Sequence, residues 1–417
     1  EVIEGYGELI APLIADRPFF RSLTVEAGVR YSDYKVFADS TPRYNTTTYK
    51  GGGSWEPFDG LKMRGNYQRA VRAPNIAELF SPVSVALTNL SQDPCRTTAT
   101  YRGPATNAAL AAVCLAQGAP AGTIGLIANP TAGQPNGTFS GSLALRPETS
   151  NSYTFGVVIQ PKHFIPGLSI TVDYYNISIR NAISQPLPGD AIDACFGQGV
   201  AAGGAVNVNA GSASNPLCTV IRRNPVTGGL DGDASTTGGL NFVPSNQGRI
   251  LTDGIDLGAN YRRDLGFTKL NLSFQGNWTN RSKFKATPIS QYRECVGLYS
   301  SNCGSPGSAG PSSSAGSLQP AVTWNQRTTL TFGPADVSLL WRHVGSMKVE
   351  DGITAFAGTI GSGALAGEVV DFGKIKAYNY LDLATRIGVG DNLDFTVTVT
   401  NLLDKDPPIV GGTIGST

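Results

Sequence analysis

Hydrophobic and polar residues alternate along most of this chain with a period of two. In Asn392 to Leu403 (NLDFTVTVTNLL), Leu393, Phe395, Val397 and Val399 fall on one side of an extended backbone. Asp394, Thr396, Thr398 and Thr400 fall on the other, because successive strand side chains point to opposite faces. Lys269 to Thr279 (KLNLSFQGNWT) repeats the pattern, setting Leu270, Leu272, Phe274 and Trp278 against Lys269, Asn271, Ser273, Gln275, Asn277 and Thr279. A single such stretch would suit an ordinary sandwich strand; its recurrence is the signal. The pattern predicts twelve strands, at about 1–15, 21–38, 46–57, 61–73, 149–161, 167–181, 248–263, 268–285, 320–332, 336–349, 376–390 and 392–404.

Every second connection is short and carries turn residues: Asp16 to Pro18, Phe58 to Gly60, His163 to Gly167, Asp264 to Gly266, Gly333 to Ala335 and Gly390 to Asn392. The connections between them are longer, with long loops at about 80–147, 182–247, 286–319 and 350–375. This alternation puts the short turns at one rim and the long loops at the other. The expected fold is all-β: an antiparallel up-and-down transmembrane β-barrel wall spanning 1–417, with its long loops extracellular.

The faces can be assigned from the alternation. Leu23, Val25, Ala27 and Val29, then Leu61, Met63 and Tyr67, then Tyr153, Phe155, Val157 and Ile159, then Leu168, Ile170, Val172 and Tyr174 are expected to face lipid. Glu26, Arg30, Lys62, Arg64, Gln68, Asp173, Asp256, Arg262, Arg327, Arg342, Asp382, Arg386 and Asp394 fall on the other side and need a wet lumen. An outward Arg or Lys at the bilayer midplane costs about 2–4 kcal/mol, so a one-residue slip in register is heavily penalised. Tyr31, Trp55, Tyr67, Tyr174, Trp278 and Trp324 lie near strand ends, where an interfacial girdle would place them.

Composition narrows the class. Charged residues are only 15% of the 417 and the net charge is +1, so a polyanion meets no basic field and a nucleic-acid partner is not expected. No apolar run is long enough for a spanning helix, which leaves a barrel open because its strands need only about 10 alternating residues. The first residues, EVIEGYGELIAPLI, read as a strand and not as a leader.

Six cysteines fall in three neighbouring pairs, Cys95 and Cys114, Cys195 and Cys218, Cys295 and Cys303, each inside a Gly-, Ser-, Ala- and Pro-rich loop. Six cysteines allow 15 connectivities, and the local one, formed in an oxidising compartment, is the economical reading. Bridges closing loops of this length stabilise by roughly 3 kcal/mol each in the chain-entropy model. No enzyme constellation stands out: GxxxxGK[ST], HExxH and GxSxG are missing, and GSGALA at Gly361 to Ala366 reads as a loop tip. His163 and His343 are isolated, so neither a metal nor a cofactor is expected. Glu4 and Glu8 are expected to pair with lumenal arginines.

Three stretches resemble TonB-dependent outer-membrane receptors. Tyr49 to Pro82 (YKGGGSWEPFDGLKMRGNYQRAVRAPNIAELFSP) resembles that family's strand, turn, strand and RAP-x-x-x-EL entry into a large loop. Leu145 to Val157 (LRPETSNSYTFGV) resembles the stretch after that loop, and Asn401 to Pro408 (NLLDKDPP) the segment before the last strand. In that motif Pro74 ends the strand, having no N–H for a ladder, and Arg72 and Glu78 can pair near the rim.

The resemblance implies a 22-stranded barrel around a plug, importing a siderophore, cobalamin, oligosaccharide or similar scarce ligand through the Gram-negative outer membrane with energy from TonB. On that reading the twelve strands are the tenth to twenty-first, and the plug, the TonB box and the closing strand lie outside this stretch. The rest of the barrel is then the wall's partner, because bare sheet edges in lipid would cost tens of kcal/mol, on the order of several per unpaired group. Arg64, Arg72, Arg262, Arg327, Arg342 and Arg386 are the candidates for lining the ligand path. A passive porin shares the alternation, whereas a secreted β-rich adhesin or a barrel enzyme would need features not visible here.

Overall fold

The computed structural model describes the chain except residues 37–41, 91, 98–102, 187, 197–211, 215, 287–291, 300–302, 304–318, 352–354, 391 and 410–417. Twelve long strands form one sheet in chain order. They are β1 (Val2–Arg17), β2 (Phe20–Lys35), β3 (Arg43–Phe58), β4 (Leu61–Arg72), β5 (Glu148–Ile159) and β6 (Leu168–Ser184), followed by β7 (Ser245–Asp264), β8 (Lys269–Lys285), β9 (Val322–Phe332), β10 (Ala335–Val344), β11 (Tyr378–Val389) and β12 (Leu393–Val399). Each pairs antiparallel with the next. The up-and-down order and the alternation of rims are as the sequence pattern predicts.

Register makes the two faces continuous. One outward row runs Leu23, Trp55, Met63, Val157, Val172, Leu257, Gly276, Trp324 across β2 to β9. The inward row beside it runs Thr24, Ser54, Arg64, Gly156, Asp173, Asp256, Asn277, Thr323. Large apolar side chains on the outward face stay exposed, among them Phe155 at 53% and Val397 at 48%, and a contiguous apolar face of this kind calls for lipid or a partner to cover it. Two turn glycines hold tight corners: Gly60 and Gly167 both sit at φ 85°, and a Cβ there would come within 2.2 Å and 2.1 Å of the carbonyls of Gln160 and Arg262. Pro12, lacking an N–H, coincides with a bulge in β1.

Several boundaries differ from those that the alternation predicts. The strand expected at 336–349 stops at Val344, and Met347–Val349 leaves the wall to pair with Leu298–Tyr299 and Lys374–Ile375 in a small sheet among the loops. The strand expected to reach 404 ends at Val399, because Asn401 closes a turn, its side chain accepting from the Lys405 amide (3.0 Å) and donating to the Lys405 carbonyl (3.1 Å). The strand expected from 46 begins at Arg43. Gly361 to Ala366 lies between Ala357–Thr359 and Val369–Asp371, at the tip of a loop hairpin.

The compact hydrophobic core is not in the wall. It sits in the loops 80–147 and 182–247, which fold together around Leu110, Val113, Ile127, Ile192, Phe196, Ile221, Leu230, Leu240 and Phe242. Helix Ala108–Ala116, capped by the Asn107 side chain on the Leu110 amide (3.1 Å), delivers Leu110, Val113 and Cys114 to it. A sheet of Ser84–Leu87, Asn136–Phe139 and Leu240–Asn241 joins the two loops. The sequence pattern presents these segments as separate irregular loops; the structure makes them one folded module.

Candidate functional site

The inward face carries paired charges at close spacing. Arg64 donates a two-pronged bond to Asp173 (2.9 and 2.7 Å), two strands away, and the pair passes over Gly156, where a Cβ would come within 1.8 Å of the Asp173 carboxylate. Lys50 uses the same device, reaching across Gly28 to Glu8 (3.1 Å). Glycine here opens the groove that lets opposite charges meet across an intervening strand. We expect Gly156→Val to separate Arg64 from Asp173 and to lower wall stability by about 1 kcal/mol, since the pair is partly solvent-exposed; denaturant midpoints in low and high salt check this, the difference shrinking as salt rises.

Farther round, Arg342 forks onto Asp382 (2.8 and 3.0 Å), which also accepts from the Asn401 amide (2.8 Å). Arg386 lies 2.9 Å from Asp394 and 3.8 Å from Asp336, and Arg327 donates to the Ser338 hydroxyl (2.9 Å). Arg262 is in the last turn-proximal stretch of β7, its amide bonded to Gly167 (3.1 Å). The six candidate arginines are therefore spread over β4, β7, β9, β10 and β11 and do not converge on one point. Glu4 meets Arg30 (3.7 Å) as expected, whereas Glu8 meets Lys50 and not an arginine. A concavity of about 340 Å³ opens beside Glu4, Tyr6, Glu8, Arg30, Lys50 and Gln68.

At the long-loop rim, Arg72 grips Glu78 through both terminal nitrogens (3.0 Å each) and Glu148 through Nε (2.5 Å). Asn75 and Glu78 cap helix Ile76–Phe80 reciprocally, each side chain bonding the other's amide at 2.8 Å. The RAP-x-x-x-EL stretch thus ties the end of β4, the start of β5 and the first turn of the loop module into one knot. At the opposite rim, Lys162 donates to Asp59 (2.8 Å) and Arg21 adds its charge, so the Asp59 carboxyl is held below the usual carboxylate range.

Above the wall the loop module is stapled by Cys95–Cys114 and Cys195–Cys218, and Cys295–Cys303 closes the next loop, so all three bridges stand at one rim. Sequence reasoning missed the module's central contact. Arg223 and Asp93, both fully buried, meet with two bonds (2.6 and 2.8 Å); Arg223 also donates to Gln117 (2.8 Å) and Gly228 (3.0 Å), and Asp93 accepts from the Cys95 amide (2.9 Å). The two residues lie 130 positions apart, and no local spacing announces the pair. Arg293 extends the tie to the remaining loops, reaching Asp190 (3.0 Å) and Glu350 (3.4 Å). Burial pushes the Tyr299 phenol up, and its hydroxyl donates to the Phe372 carbonyl beneath the last loop.

A sheet with one apolar and one charged face, short turns at one rim and a folded, disulfide-stapled canopy at the other is the wall of a membrane β-barrel. Residues 14–402 match the family model for TonB dependent receptor-like β-barrels, and the chain belongs to that family. No curated protein sequence matches it. Solved structures similar to it include the FrpB iron transporter from Neisseria meningitidis, 13% identical over 96% of this chain and 41% of that one, TM-score 0.48. A mutant of the ferric enterobactin receptor from Pseudomonas aeruginosa is 13% identical over 92% and 40%, TM-score 0.49. The siderophore receptor PirA from Acinetobacter baumannii is 12% identical over 97% and 50%, TM-score 0.47. The chain thus spans about two fifths to half the length of these solved chains.

Proposed function

We propose that this chain builds part of the barrel of an outer-membrane receptor that imports a scarce ligand, a siderophore, cobalamin or oligosaccharide, with energy delivered through TonB. The observation that carries the reading is the pairing of an apolar outer face with a charged inner face under a folded canopy, in a chain of this family. The disulfide-bearing rim faces the outside, the ligand is captured there, and the inward charges lead it down the wall. Along that path Arg64, Arg327, Arg342 and Arg386 offer donors already held by neighbouring carboxylates and hydroxyls, and Arg72 and Arg262 mark its two ends.

Growth of a deletion strain tests the proposal. We expect a defect under iron limitation, on cobalamin dependence or on one oligosaccharide as carbon source, with uptake abolished when the proton gradient is collapsed. Normal growth in all three conditions, or uptake indifferent to the gradient as in a porin, would overturn it.

A further inference from the structure

The outward face changes character just beyond its aromatic row. On β4, Tyr67 is followed two residues later by outward Arg69; on β6, Tyr174 is followed by outward Arg180. On β8 the change depends on a bulge. Gly254 pairs with Thr279 and Asp253 with Arg281, so Asn280 is skipped and the parity of β8 reverses. Below the bulge Trp278 points outward; above it Arg281, Lys283 and Lys285 do, while Phe284 turns inward and is buried. Were Asn280 paired in the ladder instead of bulged out of it, the lysines would face the lumen.

The result is a block of like charge. Arg180 stands directly opposite Arg249, and Arg249 directly opposite Lys285, with Lys283 one row below. Opposed side chains in such rows lie about 5 Å apart, and like charges there are destabilising. Arg281 is neutralised by Asp253 (2.6 Å). Glu294, opposite Lys283, spends Oε1 on the amides of Ser282 (2.8 Å) and Val296 (3.2 Å), and Lys285 lies over the Tyr292 ring (5.4 Å). Among the described residues, Arg180, Arg249, Lys283 and Lys285 have no ion pair.

We propose that this patch binds the phosphates of a phosphorylated glycolipid in the outer leaflet of the membrane. The proposal rests on the reading of the wall as membrane-spanning. The position argues for lipid over a dissolved anion: the cations face away from the lumen and continue the apolar belt past Tyr153, Tyr174 and Trp278. The height argues for a glycolipid. Counted by ladder positions past the bulge, with a rise of about 3.3 Å per residue and a tilt of about 40°, the outward cations of β8 lie about 5–15 Å beyond Trp278. One glycerol phosphate at the acyl boundary would reach only the lowest of them; phosphates carried on successive sugars reach them all.

The test uses the full-length protein. Binding to vesicles of phosphatidylcholine doped with diphosphoryl lipid A is compared for the native protein and the Arg180→Gln/Arg249→Gln/Lys285→Gln variant, with dephosphorylated lipid A and inorganic phosphate as further arms. At about fivefold per cation near an anionic surface, the variant is expected to bind on the order of 100-fold more weakly. An Arg180→Lys/Arg249→Lys variant, which keeps the charges, is expected to bind as the native protein does, and separates lost charge from lost folding.

Equal binding of native and Gln variants, indifference to the glycolipid's phosphates, or competition by inorganic phosphate at the concentration of the lipid would overturn the proposal. Brominated phosphatidylcholine distinguishes the two levels of failure. If it quenches the tryptophans while glycolipid preference is missing, only the headgroup site falls. If it does not quench them, the membrane reading falls and the site with it.

Discussion

Replacing Arg223 by Met is expected to loosen the loop module by about 3–5 kcal/mol while leaving the wall intact, because it strands the buried Asp93 carboxylate without its cation. Both side chains are fully shielded from solvent, and the fork between them is a polar centre within an otherwise apolar core of Leu, Ile, Val, Phe, Ala and disulfide-bonded Cys. Asp93→Asn/Arg223→Met removes both charges and keeps an acceptor for the Cys95 amide, so most of the stability should return. Protease digestion of the loops and alkylation of Cys95, Cys114, Cys195 and Cys218 after mild reduction read the opening directly. If the single and double variants open equally, the pair is not what holds the module closed.

That contact also marks the limit of what local pattern can reveal. The strands were legible because a surface with oil on one side and water on the other forces a period of two, and each charged residue assigned inward, from Glu26 to Asp394, occupies the inward register. The Arg72–Glu78 pair was legible because strand end, proline and helix start lie within a few residues. The canopy was not, since its core joins residues from two loops by contacts more than 100 positions apart, and no periodicity records such contacts. The apolar content of those loops was the available signal: Leu110, Val113, Ile192, Phe196, Leu240 and Phe242 are too many for segments without a core of their own.

The outward cations escaped for a different reason. Counting by twos carries Trp278's parity onward and predicts Lys283 and Lys285 on the lumen side, and the rule that charges avoid lipid agrees with that error. Only the unpaired Asn280 corrects it, and a single inserted residue leaves no mark in composition or spacing. Strand type is a property of a segment's local chemistry; register is a property of two strands at once.

Two adjacent residues on β6 distinguish the lipid face from the wet one. Val172 lies in the outward row opposite Val157 and Leu257, and Thr171 in the inward row opposite Val158 and Gly258. Val172→Arg is expected to destabilise the folded barrel by about 2–4 kcal/mol, the cost of an arginine facing hydrocarbon near the midplane. Thr171→Arg adds the same charge to a wet wall that already holds Asp173 and Asp256, and is expected to change stability by less than about 0.5 kcal/mol. Denaturant titration of the protein folded into phosphatidylcholine vesicles measures both on the same strand, where secondary-structure propensity is common to the pair and cancels. Equal losses at the two positions would mean that the apolar face is pressed against another protein layer, since only a second packed surface would make Thr171 and Val172 equally intolerant of charge.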